Sequence, residues 1–290
     1  MSGMVYLDGE LLPDGEAKVS VHDHGLLYGD GLFEAMRAYG GHVFRLGRHL
    51  DRLLTAAPLI HLTVPWSRGE LATAVARTLE ANGLADARVR LTVTRGAAMP
   101  GVHAGEAARP SLIVTAHPLA LPSAEQYARG FSAIITSERR DTRSVLSRVK
   151  SLNGLARWIA MREAEAAGAD DAIALNEHGD LAEAATANVF IVKEGTVITP
   201  DLAAGILPGI TREAVITCAR ERDVTVEERP VALDELRGAD ECFVTSSVRE
   251  VRAIVRLDDR PIGTGRPGPL TLALAEAYKH SVRLETASAT

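Results

Sequence analysis

The sequence predicts an α+β protein of two domains: a small N-terminal α/β domain and a larger domain built on a mixed, largely antiparallel sheet with flanking helices. Its 290 residues, 46% of them hydrophobic, exceed one minimal core and are too few for three domains. Strand patterns outnumber helical ones, and hairpin signals such as residues 193–195 recur without the regular strand–helix alternation of a parallel sheet. A stretch with two prolines between residues 117 and 126 interrupts both patterns, because proline disfavours helix and central strand.

The N-terminal domain is expected over residues 1–118. Apolar periodicity predicts strands over residues 5–11, 41–44, 88–95 and 111–117, and helices over 48–59 and 68–81. The second helix has a distinct start, because Ser67 and Glu70 form a capping box in which each side chain accepts the backbone N–H of the other residue. Asn82 and Gly83 are expected to end it.

The C-terminal domain is expected over residues 127–290, after a linker over 119–126. The same periodicities predict strands over 131–137, 172–176, 187–193, 196–199, 241–246 and 251–257, and helices over 153–167, 210–222 and 270–279. Strands here are short and recur between helices, which favours a mixed sheet over a Rossmann sheet.

Composition excludes several classes of function. The net charge is −6, and no stretch interleaves basic and aromatic residues, so nucleic acid is not an expected partner. No apolar run approaches the length of a membrane span, so a membrane partner is not expected either. Cys218 and Cys242 lack disulfide or metal spacing, and the histidines, including His22 and His24, predict no metal site. We therefore expect a cytoplasmic protein.

One of the four lysines differs from the rest in its position. Lys150 follows the apolar Val149 at the end of a strand-like stretch and precedes the start of a predicted helix. An amine at the end of an element can project into a cleft, where desolvation lowers its pKa and allows a Schiff base. An ordinary surface lysine is the alternative reading.

Residues 205–212 form a glycine-containing loop that leads into a helix. Backbone N–H groups at such a start can bind a phosphate, although an ordinary loop with Thr211 near the helix cap fits equally. Glu183 lies in an almost uncharged stretch, so its carboxylate requires a cationic or protonated partner. That partner could be a pyridinium nitrogen or an arginine in a structural salt bridge.

Three arginines, Arg45, Arg48 and Arg52, fall within two helical turns. Arg48 and Arg52 are four residues apart and share a helix face, from which they could bind a phosphate. A solvated helix face is the alternative.

Six segments occur in the order seen in the fold type IV pyridoxal-phosphate enzymes, and the chain resembles this family from about residue 5 to residue 279. The segments are residues 28–37, 45–53, 150–153, 183–188, 205–212 and 245–247. The family contains branched-chain aminotransferases, D-amino acid aminotransferases, (R)-amine transaminases and aminodeoxychorismate lyases. The resemblance implies the two-domain fold of that family, with pyridoxal 5′-phosphate as cofactor.

The resemblance also assigns roles. Lys150 forms the Schiff base and moves the proton between the substrate carbon and the cofactor, while Glu183 keeps the pyridine nitrogen protonated. Arg52 binds the phosphate and Leu207 packs on the ring. The other cofactor contacts implied are Ile210, Thr211, Ser246 and Ser247.

The substrate pocket departs from the branched-chain aminotransferases. Their aromatic residue before Ile-Arg is Arg88 here, and their Thr-Ala-Ala turn is Ser247-Val248-Arg249. A cation in an apolar wall is costly unless an anion meets it. Arg88 and Arg90 share a strand face and could together bind a substrate carboxylate on the side opposite the turn, which suits a D-amino acid. Residues 95–103 lack the Arg-x-His pair of the familiar D-amino acid enzymes, and a solvent-facing Arg88 is the alternative.

We therefore expect a transaminase acting on an amino acid and a 2-oxo acid, with D-amino acids as the leading substrates and L-branched-chain amino acids as the alternative. An (R)-amine transaminase, an aminodeoxychorismate lyase and a non-catalytic binding protein are weaker readings. Tyr28, Phe33 and Val248 complete the expected substrate contacts. The resemblance implies a homodimer, with the loop at residues 99–103 and the turn at Tyr28 reaching into the neighbour's site.

Overall fold

The computed structural model describes residues 3–98 and 109–287, and the chain divides into two compact units. The first unit comprises the described residues of Met1–Ala120, Val149–Gly154 and Glu285–Thr290. The second unit comprises Leu121–Arg148 and Leu155–Leu284. The segment that carries Lys150 thus belongs to the first unit, whereas position in the sequence alone assigns it to the C-terminal domain.

The first unit is a sheet covered by two helices. Its elements are β1 (Met4–Leu7), β2 (Glu10–Pro13), α1 (His24–Leu27), β3 (Gly31–Tyr39), β4 (His42–Val43), α2 (Leu46–Ala56), α3 (Arg68–Asn82), β5 (Ala87–Ala97) and β6 (Arg109–Pro118). The strands pair antiparallel in the order β2-β1-β6-β5-β3-β4. Apolar residues from one sheet face pack against α2 and α3, as the alternation in β5 predicts. Strand β3 is not among the predicted strands, although its burial alternates in the same way.

Several predictions for this unit are confirmed, and one strand is corrected. The capping box of Ser67 and Glu70 opens α3, and Gly83 ends it in the left-handed conformation (φ 62°). The single strand expected over residues 5–11 is wrong: Asp8 and Gly9 have positive φ and turn the chain into the hairpin of β1 and β2. The helix expected over 48–59 starts two residues earlier and tightens into a 3₁₀ turn at Ala57–Ile60.

The second unit is built on a mixed sheet. Its elements are α4 (Ala124–Arg129), β7 (Phe131–Arg140), α5 (Val145–Arg148), α6 (Leu155–Ala166), β8 (Asp171–Asn176), β9 (Leu181–Ala184), β10 (Ala187–Lys193), β11 (Thr196–Thr199), α7 (Ile210–Arg220), β12 (Val226–Glu228), α8 (Leu233–Arg237), β13 (Glu241–Ser246), β14 (Glu250–Leu257), β15 (Arg260–Pro261) and most of α9 (Pro269–Ala287). Across residues 3–98 and 109–287, no helix combines the length and apolar character that crossing a membrane requires.

The strands of this unit close on themselves. The pairing runs from β10 through β13, β14, β7, β8 and β9 and returns to β10, while β11 and β12 extend it outward. The pairs β7–β8, β7–β14 and β11–β12 are parallel and the others antiparallel, so the predicted mixed sheet is confirmed. Apolar residues of the ring strands form a second core.

The division between the two units falls at Ala120 and Leu121, inside the segment expected to be a linker, and α4 starts in the same segment because Ser123 and Gln126 form a capping box. Three other expectations for this part of the chain differ from the structure. The strand-like stretch before Lys150 is the short helix α5, and the next helix begins at Leu155 rather than at residue 153. The C-terminal helix runs to Ala287, eight residues beyond its expected end at residue 279.

A buried ion pair lies within the second unit. Arg252 of β14 donates from Nη2 to Asp171 Oδ2 of β8 at 2.5 Å, and neither side chain is more than 1% exposed. The Arg252 guanidinium also lies 5.1 Å from the centroid of the Phe131 ring. Each charge depends on the other, because water cannot reach either.

We expect Asp171→Asn to lower the free energy of unfolding by about 3–5 kcal/mol, because it leaves the Arg252 charge buried and uncompensated. The exposed pair of Arg237 and Asp234 provides the control. Asp234→Asn is expected to change stability by less than about 1 kcal/mol. Urea unfolding of the three proteins measures both values, and equal effects would contradict this account of the buried pair.

Candidate active site

The Lys150 segment is hydrogen-bonded to the start of β3. The N–H of Phe33 donates to the Lys150 carbonyl oxygen at 2.9 Å, and the N–H of Leu152 donates to the Gly31 carbonyl oxygen at 3.0 Å. The side chain of Lys150 is half-buried, and its Nζ lies 4.7 Å from the centroid of the Phe33 ring. Lys150 is thus less solvated than an ordinary surface lysine, and its catalytic role stays a prediction.

The two arginines predicted to bind substrate share one face of β5. The Arg90 guanidinium carbon lies 3.8 Å from the centroid of the Phe33 ring, and its Nε donates to Thr92 Oγ1 at 3.1 Å. Arg88 is exposed and pairs in register with Arg37 of β3. Of the two arginines, Arg90 shares an aromatic ring with Lys150, whereas Arg88 is the more exposed. The binding of substrate by either stays a prediction.

A buried carboxylate holds Arg52. Glu34 on β3 is 0% exposed and accepts from Arg52 Nε at 2.8 Å and from Arg52 Nη2 at 2.6 Å. His49 of α2, which is 1% exposed, places Nδ1 2.7 Å from Glu34 Oε2. Arg48 is exposed, so the solvated reading fits that arginine, while Arg52 turns inward.

The charges of this cluster follow from its burial. Burial raises the pKa of Glu34. The charge of Arg52 and the hydrogen bond from His49 lower it by more than burial raises it, so that the pKa falls to about 2. Burial lowers the pKa of His49 below its usual value, against the opposing effect of Glu34, and the charges of Arg52 and Lys150 lower it further. The neutral imidazole therefore donates from Nδ1 to an ionised Glu34.

The second unit carries the other predicted carboxylate. Glu183 of β9 is buried, its Oε1 lies 3.2 Å from Arg140 Nη2, and its Oε2 accepts the N–H of Leu207 at 2.9 Å. Arg140 also donates to the carbonyl oxygens of Gly205 and Ser147. The arginine salt bridge that the sequence allowed is thus present. A carboxylate has about four acceptor positions, so these contacts leave capacity for a further donor.

The glycine-containing loop ends at the N-terminus of α7. Gly209 is the N-cap residue, and because it has no side chain it cannot accept from the first N–H groups of the helix. A Cβ at Gly209 would lie 1.9 Å from Asn188 Oδ1, and Asn188 Nδ2 donates to the Leu207 carbonyl oxygen at 2.9 Å. The loop is therefore held close to β10, with Ile210 and Thr211 at the helix start as predicted.

The turn after β13 lies beside this helix start. Thr211 Oγ1 and Ser247 Oγ are 3.5 Å apart, and Ser246 Oγ accepts the N–H of Arg249 at 3.4 Å. Val248 lies in the same turn and is half-buried. The structure thus brings together the predicted residues of the second unit at the start of α7.

Two segments are expected to reach into the site of a neighbouring subunit, and the structure describes one of them. Tyr28 ends the short helix α1 and is 66% exposed, with its ring edge-on to His24 at 5.0 Å. Residues 99–103 lie outside the described residues. A role for either in a neighbouring site stays a prediction.

Comparison with known proteins identifies the family. The sequence model of the Amino-transferase class IV family matches residues 31–257. The chain belongs to this family. A relative from Methanocaldococcus jannaschii, provisionally named a branched-chain-amino-acid aminotransferase, is 40% identical over 276 residues, which are 95% of each chain. The D-alanine aminotransferase of Bacillus licheniformis is 34% identical over 98% of each chain.

Solved structures of the family agree with the fold. The branched-chain aminotransferase of Thermoproteus uzoniensis with norvaline has a TM-score of 0.91 and 35% identity, over 98% of this chain and 96% of the other. The T.th. branched-chain amino acid aminotransferase with pyridoxamine 5′-phosphate has a TM-score of 0.92 and 32% identity, over 97% of this chain and 94% of the other. The predicted α+β fold and the prediction of a pyridoxal-phosphate-dependent aminotransferase are confirmed.

The residues of this class IV aminotransferase fit the cofactor. The N-terminus of α7 offers N–H groups to an anion, and its glycine cap has no side-chain acceptor that would occupy them. Glu183 supplies a buried carboxylate for a protonated ring nitrogen, and Lys150 supplies a half-buried amine. These are the three chemical groups that a phosphorylated pyridine aldehyde requires.

Sequence reasoning missed four polar residues of these clusters: Glu34, His49, Arg140 and Asn188. One signal was available for Glu34, which occupies an apolar position in the alternation of Leu32, Glu34 and Met36. A carboxylate on a core face requires a buried cation, and Arg52 was already a candidate. The partners of Arg140 and Asn188 are distant in sequence and left no local signal.

We expect stability to decrease as the pH falls below about 6.5, in part through His49. In the unfolded chain this imidazole takes up a proton near pH 6.5, whereas the folded chain resists protonation to lower pH. The unfolded state then binds more protons than the folded state. For each extra proton, the free energy of unfolding falls by up to about 1.4 kcal/mol per pH unit. Urea unfolding between pH 5.5 and 7.5 should show a smaller slope for His49→Asn than for the wild type. The exposed His178→Asn is the control, and an unchanged slope in His49→Asn would contradict the assignment.

Proposed function

We propose that this aminotransferase moves an amino group between a D-amino acid and a 2-oxo acid, with the substrate carboxylate held by Arg90 and Arg88. One observation carries the proposal: the ring of Phe33 contacts both the Lys150 amine, at 4.7 Å, and the Arg90 guanidinium, at 3.8 Å. Because both cations lie over the same ring, we infer that a carboxylate bound by Arg90 brings the α-carbon of a small amino acid toward Lys150.

The position of Arg88 supports an anionic ligand on this face. Arg88 lies directly opposite Arg37 across the β3–β5 pair, and like charges in that relation destabilise a sheet. A bound carboxylate would offset that repulsion. Arg88 is then the second, more solvated cation of the carboxylate site, and Arg90 is the first.

The choice of enantiomer follows from which residues take the carboxylate. In the branched-chain aminotransferases that the sequence resembles, the turn corresponding to Ser247-Val248-Arg249 receives it. If the carboxylate and the side chain exchange places while the α-hydrogen still points at Lys150, the substrate that fits is the opposite enantiomer. Arginines of β5 that replace the turn as the carboxylate site therefore favour a D-amino acid.

The remaining residues take the roles that the resemblance implies. Bound pyridoxal 5′-phosphate supplies an electron sink for the electrons left when the substrate carbon loses its proton. Lys150 binds the cofactor aldehyde and carries that proton on Nζ, and Glu183 holds a proton on the ring nitrogen. Leu207 packs on the ring, while the phosphate is bound by Arg52, the N–H groups of Ile210 and Thr211, and the hydroxyls of Ser246 and Ser247. Tyr28, Phe33 and Val248 line the substrate.

L-branched-chain transamination is the second candidate. The relative at 40% identity and the solved structure at a TM-score of 0.92 both carry branched-chain names. In this reading Arg88 stays in solvent, as its exposure allows, and Phe33 provides part of an apolar pocket.

The half-reaction separates the two candidates. The holoenzyme is mixed with D-glutamate, D-alanine or L-leucine without an acceptor, and the visible Schiff-base absorption is followed. We expect the band to decay with both D-amino acids, and Arg90→Leu to slow this decay about 10- to 100-fold, because a hydrogen bond to a charged group contributes about 1.5–3 kcal/mol. Arg88→Ala is expected to slow it less.

The matched control is Arg77→Leu, which removes an arginine that lies over the ring of Tyr6 on another part of the same unit. Lys150→Ala should lack the visible band. Decay with L-leucine alone would establish the branched-chain candidate, and unchanged D-amino acid rates in both Arg88→Ala and Arg90→Leu would exclude the carboxylate site.

We also propose a homodimer, as the resemblance implies. Leu155, Trp158 and Ile159 lie at helical spacing on α6 and are 73%, 67% and 37% exposed. An exposed apolar cluster of this kind is typical of an interface. A second copy of the chain is the proposed occupant.

We expect Trp158→Glu to convert the dimer to a monomer, because a carboxylate in an apolar contact is desolvated without a partner. Light scattering at assay concentration gives the molar mass. Leu272→Glu, at a 50% exposed position of α9, is the control and should remain dimeric. A monomeric wild type with normal turnover would refute the proposal.

A further inference from the structure

Arg52 is paired with an acid before any ligand arrives. Glu34 takes the Nε and Nη2 positions of its guanidinium in a two-point contact, and both side chains lie between β3 and α2. A two-point contact between planar groups fixes the orientation of the guanidinium, including the direction of its Nη1 end. Arg52 is therefore rigid, unlike an arginine on a solvated helix face.

Charge alone does not explain this pairing. A carboxylate beside a phosphate-binding arginine cancels the positive charge that attracts the phosphate. His49 adds none, because burial keeps the imidazole neutral. If the cluster acted through net charge, Glu34 would weaken phosphate binding.

We propose that Glu34 and His49 are positioning residues that hold Arg52 in the orientation required to bind the cofactor phosphate. Glu34 orients the guanidinium through its two oxygens, and His49 orients Glu34 through the hydrogen bond from Nδ1 to Oε2 at 2.7 Å. This inference rests on the proposed function, in which Arg52 binds the phosphate.

The adjacent positions of Phe33 and Glu34 in β3 support separate roles for these two residues. Glu34 follows Phe33 directly in β3, so the strand that is hydrogen-bonded to the Lys150 segment also carries the acid that orients Arg52. Adjacent residues of a strand point to opposite faces, which fixes the acid and the ring relative to each other. A substitution of the Glu34 side chain thus removes contacts of Arg52, whereas the hydrogen bond to the Lys150 carbonyl oxygen comes from the backbone of Phe33.

The test compares two ligands that differ only in the phosphate. The dissociation constants of pyridoxal 5′-phosphate and pyridoxal are measured by equilibrium dialysis with the full chain. The Kd of pyridoxal divided by the Kd of pyridoxal 5′-phosphate gives the phosphate contribution. We expect Glu34→Gln to reduce this ratio about 10-fold or more through loss of orientation. An effect through net charge predicts the opposite sign, because Glu34→Gln adds one positive charge to the cluster.

Two further variants keep the test decisive if Glu34→Gln does not fold. Glu34→Asp retains the charge and withdraws the carboxylate by one methylene group. A positioning role therefore predicts a reduced ratio, whereas an effect through net charge predicts an unchanged ratio. His49→Asn, whose amide can donate to Glu34 in place of Nδ1, should preserve the ratio, whereas His49→Ala should reduce it.

Asp171→Asn is the matched control, because it disrupts a buried ion pair of the second unit and should leave the ratio unchanged. An unchanged or increased ratio in Glu34→Gln and Glu34→Asp would overturn the positioning role. Arg52→Met separates this failure from that of the proposed function: an unchanged ratio in Arg52→Met would show that Arg52 does not bind the phosphate at all.

Discussion

The pairing of residues 150–152 with the start of β3 is the constraint on which the lysine part of the site depends. It requires close approach, because a Cβ at Gly31 would lie 2.4 Å from the carbonyl oxygen of Val93 and 2.8 Å from Leu152. Asn153 adds a side-chain hydrogen bond to the carbonyl oxygen of Gly29 at 3.0 Å. The backbone of Lys150 is thus held by hydrogen bonds on both sides of a short segment.

The alternation of β3 distributes the chemistry between the two faces of one strand. Phe33 faces Lys150 and Arg90, whereas Glu34 faces the core, where it meets Arg52 and His49. A shift of one residue in the register of β3 would exchange the two faces and place an aromatic ring against Arg52. The register with β5, which extends from Gly31 to Ala38, prevents this shift.

The sequence predicts what depends on neighbouring residues and misses what depends on distant ones. The capping box at Ser67 and the strands of β5 and β10 follow from local spacing, and Lys150 is identified by its scarcity and position. The closure of the ring through β9 and β10 joins segments by backbone pairing that no periodicity records. The strand expected before Lys150 failed because Val145 and Val149 are apolar in either conformation, and the fold selected a helical turn.

The arginine at Glu183 bears on how an acid can serve a ring nitrogen. A buried carboxylate is costly unless a cation or hydrogen-bond donors meet it. Arg140 supplies a cation at 3.2 Å, and the contacts of Arg140 with Gly205 and Ser147 hold it in place. The N–H of Leu207 fixes the other oxygen. The salt bridge that the sequence offered as an alternative to a cofactor contact is therefore compatible with one, because Arg140 and the Leu207 N–H orient the Glu183 carboxylate while acceptor positions remain for a further donor.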